Sequence, residues 1–415
     1  MMQLKRHKSS WSRPFSRRTL LKGAAATGVA VATVQLVSGC SSEDEKQTGN
    51  PTVVDDGSAT SILDTYSEAD LALTASASWE LPLGSVLFAA EGSWLPVLAA
   101  GNTATQMIKG SALSIESGTL VDVVPECISE GSGWVVYDAR CSDSVYAWVE
   151  LDMLTRSWVL YATALSEGAA QGSPSKLAEG NSDYDPPQIA CSADHVIWLN
   201  MPSAKGSKRQ DHSFCYFWTL GGSDATSVVE SPGRFGCAPS VSGSTVTLAP
   251  RVRADEGTYY GITAYDLSDN LSSVVDQLVL PASVHPFYAT RIGDSFVFSI
   301  EANYGSGGLL GNMGTYIGAG QGPFISLARE PSAQVAGTSS GLYLIKSNAS
   351  YFAVNTEDQT YSVLTANDRA LDYGEYPASD GECSRFVTFS TVKDENTGLP
   401  ASVVVRVFPL ATETG

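Results

Sequence analysis

Residues 192–229 decide the fold. The small polar turn Ser192-Ala193-Asp194 leads into His195-Val196-Ile197-Trp198-Leu199, a short and strongly apolar run, and 214–220 with 226–229 then form an apolar hairpin around Gly221-Gly222-Ser223-Asp224-Ala225. Branched and aromatic residues bounded by Gly, Ser and Asp read as buried strands joined by tight turns. The same grammar recurs on both sides. Ser93-Trp94-Leu95-Pro96-Val97-Leu98 and Gly133-Trp134-Val135-Val136-Tyr137 precede it; Thr245-Val246-Thr247-Leu248, Ser295-Phe296-Val297-Phe298, Gly341-Leu342-Tyr343-Leu344 and Arg385-Phe386-Val387-Thr388-Phe389 follow. Anchored on Trp94, Trp134, Val196, Val246, Phe296, Leu342 and Phe386, the intervals are 40, 62, 50, 50, 46 and 44 residues. The interval of 62 is read as carrying a Gly/Ser/Pro-rich insertion at 165–185 that contains no strand.

A period in the forties to fifties with four antiparallel strands per unit is the signature of a β-propeller. The chain ends soon after a strand at 402–408, which leaves the last unit short of its outer strand. Asp70-Leu71-Ala72-Leu73-Thr74-Ala75 is a strand without a unit of its own, and pairing it beside 402–408 would close the ring and remove an exposed edge. The expectation is therefore an all-β, seven-bladed β-propeller over 63–415, with four antiparallel strands per blade and an N-terminal strand as its closure. The first unit fits least well, Pro96 standing where the other units are apolar, and leaves six or eight blades open. Trp148, Trp158, Trp198 and Trp218 fall on strands and are assigned to packing between blades. The layout resembles the TolB-type bacterial periplasmic propellers over about residues 63–412, a resemblance of repeat grammar rather than of any catalytic motif.

The N-terminus carries an address. Residues 1–39 hold seven basic and no acidic side chains. Within them Ser16-Arg17-Arg18-Thr19-Leu20-Leu21-Lys22 resembles a twin-arginine export signal, and an Ala/Val/Gly run follows it. That run ends in Leu36-Val37-Ser38-Gly39-Cys40, which resembles a lipoprotein signal-peptidase box whose cysteine would carry the diacylglycerol. The run is too short and too rich in small residues to span a bilayer comfortably. Together the motifs imply export and lipid anchoring at the outer face of the cell membrane. Residues 40–62, polar, acidic and without periodicity, read as a flexible tether. Without residues 1–39 the chain keeps 18 basic against 44 acidic side chains, a charge of −26 that excludes a nucleic-acid partner. A monomer touching the membrane only through its lipid is expected.

Six cysteines remain beyond Cys40, and an even number outside the cytoplasm favours disulfides. Cys215 and Cys237, both towards the loop ends of adjacent units, are the pairing proposed from sequence. No CxxC or His cluster points to a metal. Residues 152–158 share only part of the tryptophan-docking motif of quinoprotein propellers and occur once, so no cofactor is expected.

Connections between blades, and those between second and third strands, share one face of a propeller, where ligands usually bind. This face collects Asp183, Tyr184 and Asp185, then Lys205, Lys208, Arg209 and His212, the basic cluster of an acidic chain. Arg251, Arg253, His285 and Tyr304 join them. Such a set suits a carboxylate or sulfate ligand, although the same residue types also serve as solvated loop charges. The expected function is a binding or scaffold module for a protein or an anionic small ligand. The alternative is a lyase or hydrolase of acidic glycans using Tyr184, His212 and His285. The address makes its own prediction. Replacing Arg17 and Arg18 by lysine should hold the protein in the cytoplasm on cell fractionation, whereas Cys40→Ala should block acylation, read from the intact mass. An unchanged membrane-bound, acylated product from either variant would refute the assignment.

Overall fold

In a computed structural model, residues 59–71, 73–100, 107–254, 257–281, 284–301, 313–320, 322–348, 350–365 and 373–410 are described, the side chains of 253–258 excepted. The signal region 1–39, Cys40 and most of the tether lie outside them. Apart from one helical turn at Ile62–Thr65, every regular element among the described residues is a strand.

Alternation of apolar and polar residues, with turns every few residues, divides the chain into radial antiparallel sheets. Second strands begin at Trp94, Val145, His195, Thr245, Ser295, Leu342 and Arg385, so the repeat holds at 50 or 51 residues from blade 1 to blade 5 and shortens afterwards. Six blades are built from consecutive chain. In blade 2, for instance, Trp134–Cys141, Val145–Asp152, Trp158–Ser166 and Ala169–Gly180 lie in order from the channel outwards. Blade 3 repeats this with Gln188–Ser192, His195–Asn200, Ser213–Thr219 and Thr226–Ser231.

The expectation of seven equivalent four-stranded blades is corrected here: six blades are complete, and the last repeat gives a composite closing sheet instead. That sheet consists of Tyr376–Pro377, Arg385–Lys393, Pro400–Pro409 and the N-terminal strand Ala77–Pro82. Its inner strand is interrupted because the chain leaves it after Pro377 and crosses the channel. Gly381–Glu382 pairs in parallel with Ala336–Gly337, the inner strand of blade 6. The Glu382 amide donates to Ser242 Oγ of blade 4 at 2.9 Å. Gly381 has φ +66°, and a Cβ there would stand 2.8 Å from Cβ of Ser242, so the crossing requires glycine. Nor is four strands a constant number, since blade 4 carries an extra strand, Arg251–Ala254, beside Gly257–Asp266.

Closure uses a different N-terminal segment from the one expected. Ala77–Pro82, not 70–75, lies antiparallel to the last strand, in register from Ala77 opposite Val407 to Pro82 opposite Ser402. The segment before it is also structured: Ala59–Ser61 runs parallel to Phe324–Leu327, the outer strand of blade 5, and Ser67–Glu68 runs parallel to Thr360–Thr365, the outer strand of blade 6. Ala59–Ser61 is the first strand among the described residues. Blade 2 brings a further correction. The 62-residue interval contains no insertion: Trp134 lies on an inner strand, and Ala169–Gly180 is the missing outer strand. Most of that strand is exposed and none of it is fully buried, which is why it lacks the apolar alternation that marks the others.

One apolar cluster fills each junction between neighbouring sheets. Trp158, Trp198 and Trp218 sit between blades 2 and 3, while Trp148 packs with Leu98 and Val136 between blades 1 and 2. Val387, Val403 and Val405 of the closing sheet meet Leu87, Leu95 and Val97 of blade 1, so the ring is continuous. Ile62, fully buried, inserts among Tyr288, Ile317 and Tyr343 at the junction of blades 5 and 6. Ile62→Ala should therefore cost about 2–5 kcal/mol, seen as a lower urea midpoint. An unshifted midpoint would show that this N-terminal segment does not stabilise the ring.

Candidate functional site

Inner strands of the blades line a central channel, and the chain crossing at 379–383 fills part of it. The remaining cavity measures about 1110 Å³, at the upper end of the size of small-molecule sites. Its walls mix apolar side chains such as Leu95, Ile189 and Val241 with a few charged ones.

Two charged groups define the interior. Asp380 stands on the crossing segment, where its carboxylate accepts from the Tyr288 hydroxyl and from Ser240 Oγ at 3.2 Å. Ser240 Oγ also reaches Thr290 Oγ1 at 2.8 Å. Burial pushes the Asp380 carboxyl up to about 6, although the Tyr288 and Ser240 hydrogen bonds and the charge of Arg140 act the other way. Arg140 projects from the inner strand of blade 2. Its guanidinium pairs with Asp138, donates to the Ala139 carbonyl at 2.7 Å and lies 4.6 Å from the Phe88 ring centroid. Burial raises the Asp138 carboxyl as well, opposed by that arginine. The other channel arginine, Arg385, pairs with Glu116 at 2.9 Å. Glu91, Glu301, Asp380 and Glu382 also line the cavity, and none of the four forms an ion pair among the described residues.

The residues selected from sequence fall into separate groups. His285 lines the channel and meets the Tyr260 ring edge-on, with centroids 5.2 Å apart. Arg251 donates to the Tyr260 hydroxyl at 3.2 Å, so it neighbours His285 through that ring. Asp183, Tyr184 and Asp185 lie instead at the start of blade 3. There Lys208 Nζ sits 4.9 Å from the Tyr184 centroid, Asp185 pairs with Arg234 at 2.7 Å, and Ser207 donates to Asp183 at 3.3 Å. His212 pairs with Glu230. Lys205 and Arg209 are exposed on the same loop. Within the basic cluster, Lys208 and His212 thus have partners of their own, an aromatic face and a carboxylate, while Lys205 and Arg209 stand exposed. Arg253 stands on the extra strand of blade 4, its side chain outside the described atoms, and Tyr304 lies outside the described residues. Of the three residues named for glycan chemistry, only His285 reaches the cavity.

The disulfide expectation is corrected: Cys127, Cys141, Cys191, Cys215, Cys237 and Cys383 are all free thiols. Cys215 is buried among Val229, Phe235 and Val246 between blades 3 and 4, whereas Cys237 faces the channel, so the two occupy different environments. Burial pushes the thiols of Cys127, Cys191, Cys237 and Cys383 up to about 12, which leaves them as small, unreactive packing groups.

Asp138, Arg140, Tyr288 and Asp380 were missed in the sequence. One signal for them existed: Asp138 and Arg140 interrupt an otherwise apolar inner strand, a placement that demands partners. Asp380 carried none, because a carboxylate beside Gly381 reads as an ordinary turn.

No family model matches the chain, and no curated protein matches it. Among solved structures it is similar to a chain of the mitotic checkpoint complex, at 7% identity, covering 83% of this chain and 94% of that one with a TM-score of 0.48. It is also similar to an oligogalacturonate lyase in complex with manganese, at 8% identity, 80% and 97% coverage and a TM-score of 0.43. A third is the β-propeller domain of the Trilobed protease from Pyrococcus furiosus, at 11% identity, 68% and 86% coverage and a TM-score of 0.41. These likenesses are of fold.

Asp380 makes stability depend on pH. Its folded-state value, about 6, exceeds the ordinary 3.8, so the folded protein holds the extra proton between those values and loses stability as pH rises through them. The loss is on the order of 3 kcal/mol above that window. Asp380→Asn, which keeps an acceptor oxygen, should melt higher than the parent at pH 8 and together with it at pH 4. Coincident melting at pH 8 would contradict the burial argument.

Proposed function

We propose that the chain is a binding module displayed outside the cytoplasm, held to the membrane by a lipid on Cys40, and that it takes a small ligand in the central channel. The observation that carries this reading is the cavity of about 1110 Å³ enclosed by the inner strands, with the Asp380, Tyr288 and Ser240 hydrogen bonds at its wall. Binding sites of this kind combine apolar walls with a few fixed polar groups. The loop cluster around Lys208 is the weaker candidate, since Lys208 and His212 already have internal partners and Lys205 and Arg209 are exposed to solvent.

A protein partner is the second reading, favoured by exposed apolar side chains at one end of blade 2. Leu154 is 82% exposed and Met153 51% on the turn between second and third strands, and Ile128 is 47% exposed on the loop leading into the blade. Apolar loop tips of this kind suit docking to another chain.

Thermal shift on the detergent-solubilised lipoprotein separates the sites. A panel of uronates, sulfated sugars, amines and short peptides should contain a compound that raises Tm, by about 2.7 kcal/mol of stabilisation near one hundred times Kd. The Arg140→Gln, Asp380→Asn double variant should lose that shift, and the Lys208→Ala, Arg209→Ala, His212→Ala triple variant should keep it. The reverse pattern would move the site to the loops.

A further inference from the structure

We infer that the channel receives an organic cation, an ammonium or guanidinium group carried on an apolar body. This rests on the channel being the binding site and supplies the ligand's chemical class. The expectation of an anionic ligand came from a basic loop cluster, whereas the cavity itself has the opposite balance. Its two arginines are committed, Arg140 to Asp138 and Arg385 to Glu116. Glu91, Glu301, Asp380 and Glu382 remain around the same space with no ion pair among the described residues. An anion entering there would meet like charge that has no ion-pair partner along a partly apolar wall.

One further feature fits a cation. At the mouth, Phe287 lines the cavity yet is 40% exposed, an unusual position for a phenylalanine unless its ring face is used. An open aromatic face is a recognition surface for organic cations. The apolar walls at Leu95 and Ile189 accommodate the body of such a molecule, so a bare metal ion would leave most of the cavity unused.

The charged groups facing Asp380 govern how pH acts on this site. Tyr288 and Ser240 donate to it, and Arg140 acts on it through its charge. Cys237 and Cys383 stand near it as neutral thiols. Protonating Asp380 removes the deepest negative charge, so cation binding should weaken as pH falls below about 6.

Isothermal titration of the solubilised lipoprotein with spermidine and with agmatine tests the inference, with galacturonate as the anionic probe. Saturable one-site binding of either amine is expected at pH 7.5 and 150 mM salt. Asp380→Asn and Glu301→Gln should each weaken it by about tenfold or more. Amine binding that these variants leave unchanged would reflect only the acidic surface and would overturn the inference. Galacturonate binding lost in Arg140→Gln would keep the channel as the site while overturning the cation. Failure of all three probes to bind would count against both. Circular dichroism of each variant separates loss of the site from loss of the fold.

Discussion

Pairing between Ala77–Pro82 and Ser402–Val407 is the constraint on which the rest depends. Each blade buries its faces only against two neighbours, so an open ring would expose the Val387–Val405 surface of one terminal sheet and the Leu87–Val97 surface of the other. Closing it with strands from both chain ends joins residues more than 300 positions apart in sequence. Non-local pairing of this kind is slow to form, because the loop entropy is lost before the contacts reward it. The N-terminal segment adds two further points of attachment, at the outer edges of blades 5 and 6, before it reaches the closing sheet. With Ile62 buried between those blades, closure is spread over three consecutive sheets and does not hang on one strand.

The same closure shapes the channel. Since the N-terminal strand completes the outside of the last sheet, the chain there is free to abandon the inside, and 379–383 crosses to blades 4 and 6. The crossing places a carboxylate where no regular inner strand would put one. Burial disfavours its charge, yet the hydroxyls of Tyr288 and Ser240 donate hydrogen bonds to it. A destabilising group held by specific donors inside a cavity is the arrangement found at functional sites.

The repeat was legible because buried strands announce themselves: Val196, Ile197 and Trp198 could hardly sit anywhere but between sheets. What lay outside that signal was misread for physical reasons. Ala169–Gly180 is an outer strand facing water over most of its length, and Leu177 with Ala178 is too short an apolar stretch to betray it. Residues 70–75 and Ala77–Pro82 both alternate apolar and polar side chains, and register with Val403 to Val407 selects the latter. The candidate site was harder still. Sequence composition drew attention to Lys208, Arg209 and His212 because basic residues are scarce in the chain, but scarcity does not reveal that Glu230 and Tyr184 stand beside them. An even number of cysteines suggests disulfides, whereas the six thiols stand free and buried or half-buried within and between blades.

Charge balance links these observations. A strongly acidic chain attracts cations to its whole surface, but at physiological salt that attraction fades within about 8 Å, and it confers no selectivity. Selectivity needs carboxylates in a confined space where water cannot compete, and neutralised arginines nearby so that the field is not cancelled. In the channel Asp138 and Glu116 pair with the two arginines, and Asp380 is less exposed than Glu91, Glu301 and Glu382. Were the arginines instead unpaired, the same cavity would favour carboxylates. The ligand's sign therefore follows less from the number of charges lining the channel than from the two ion pairs that remove its positive ones.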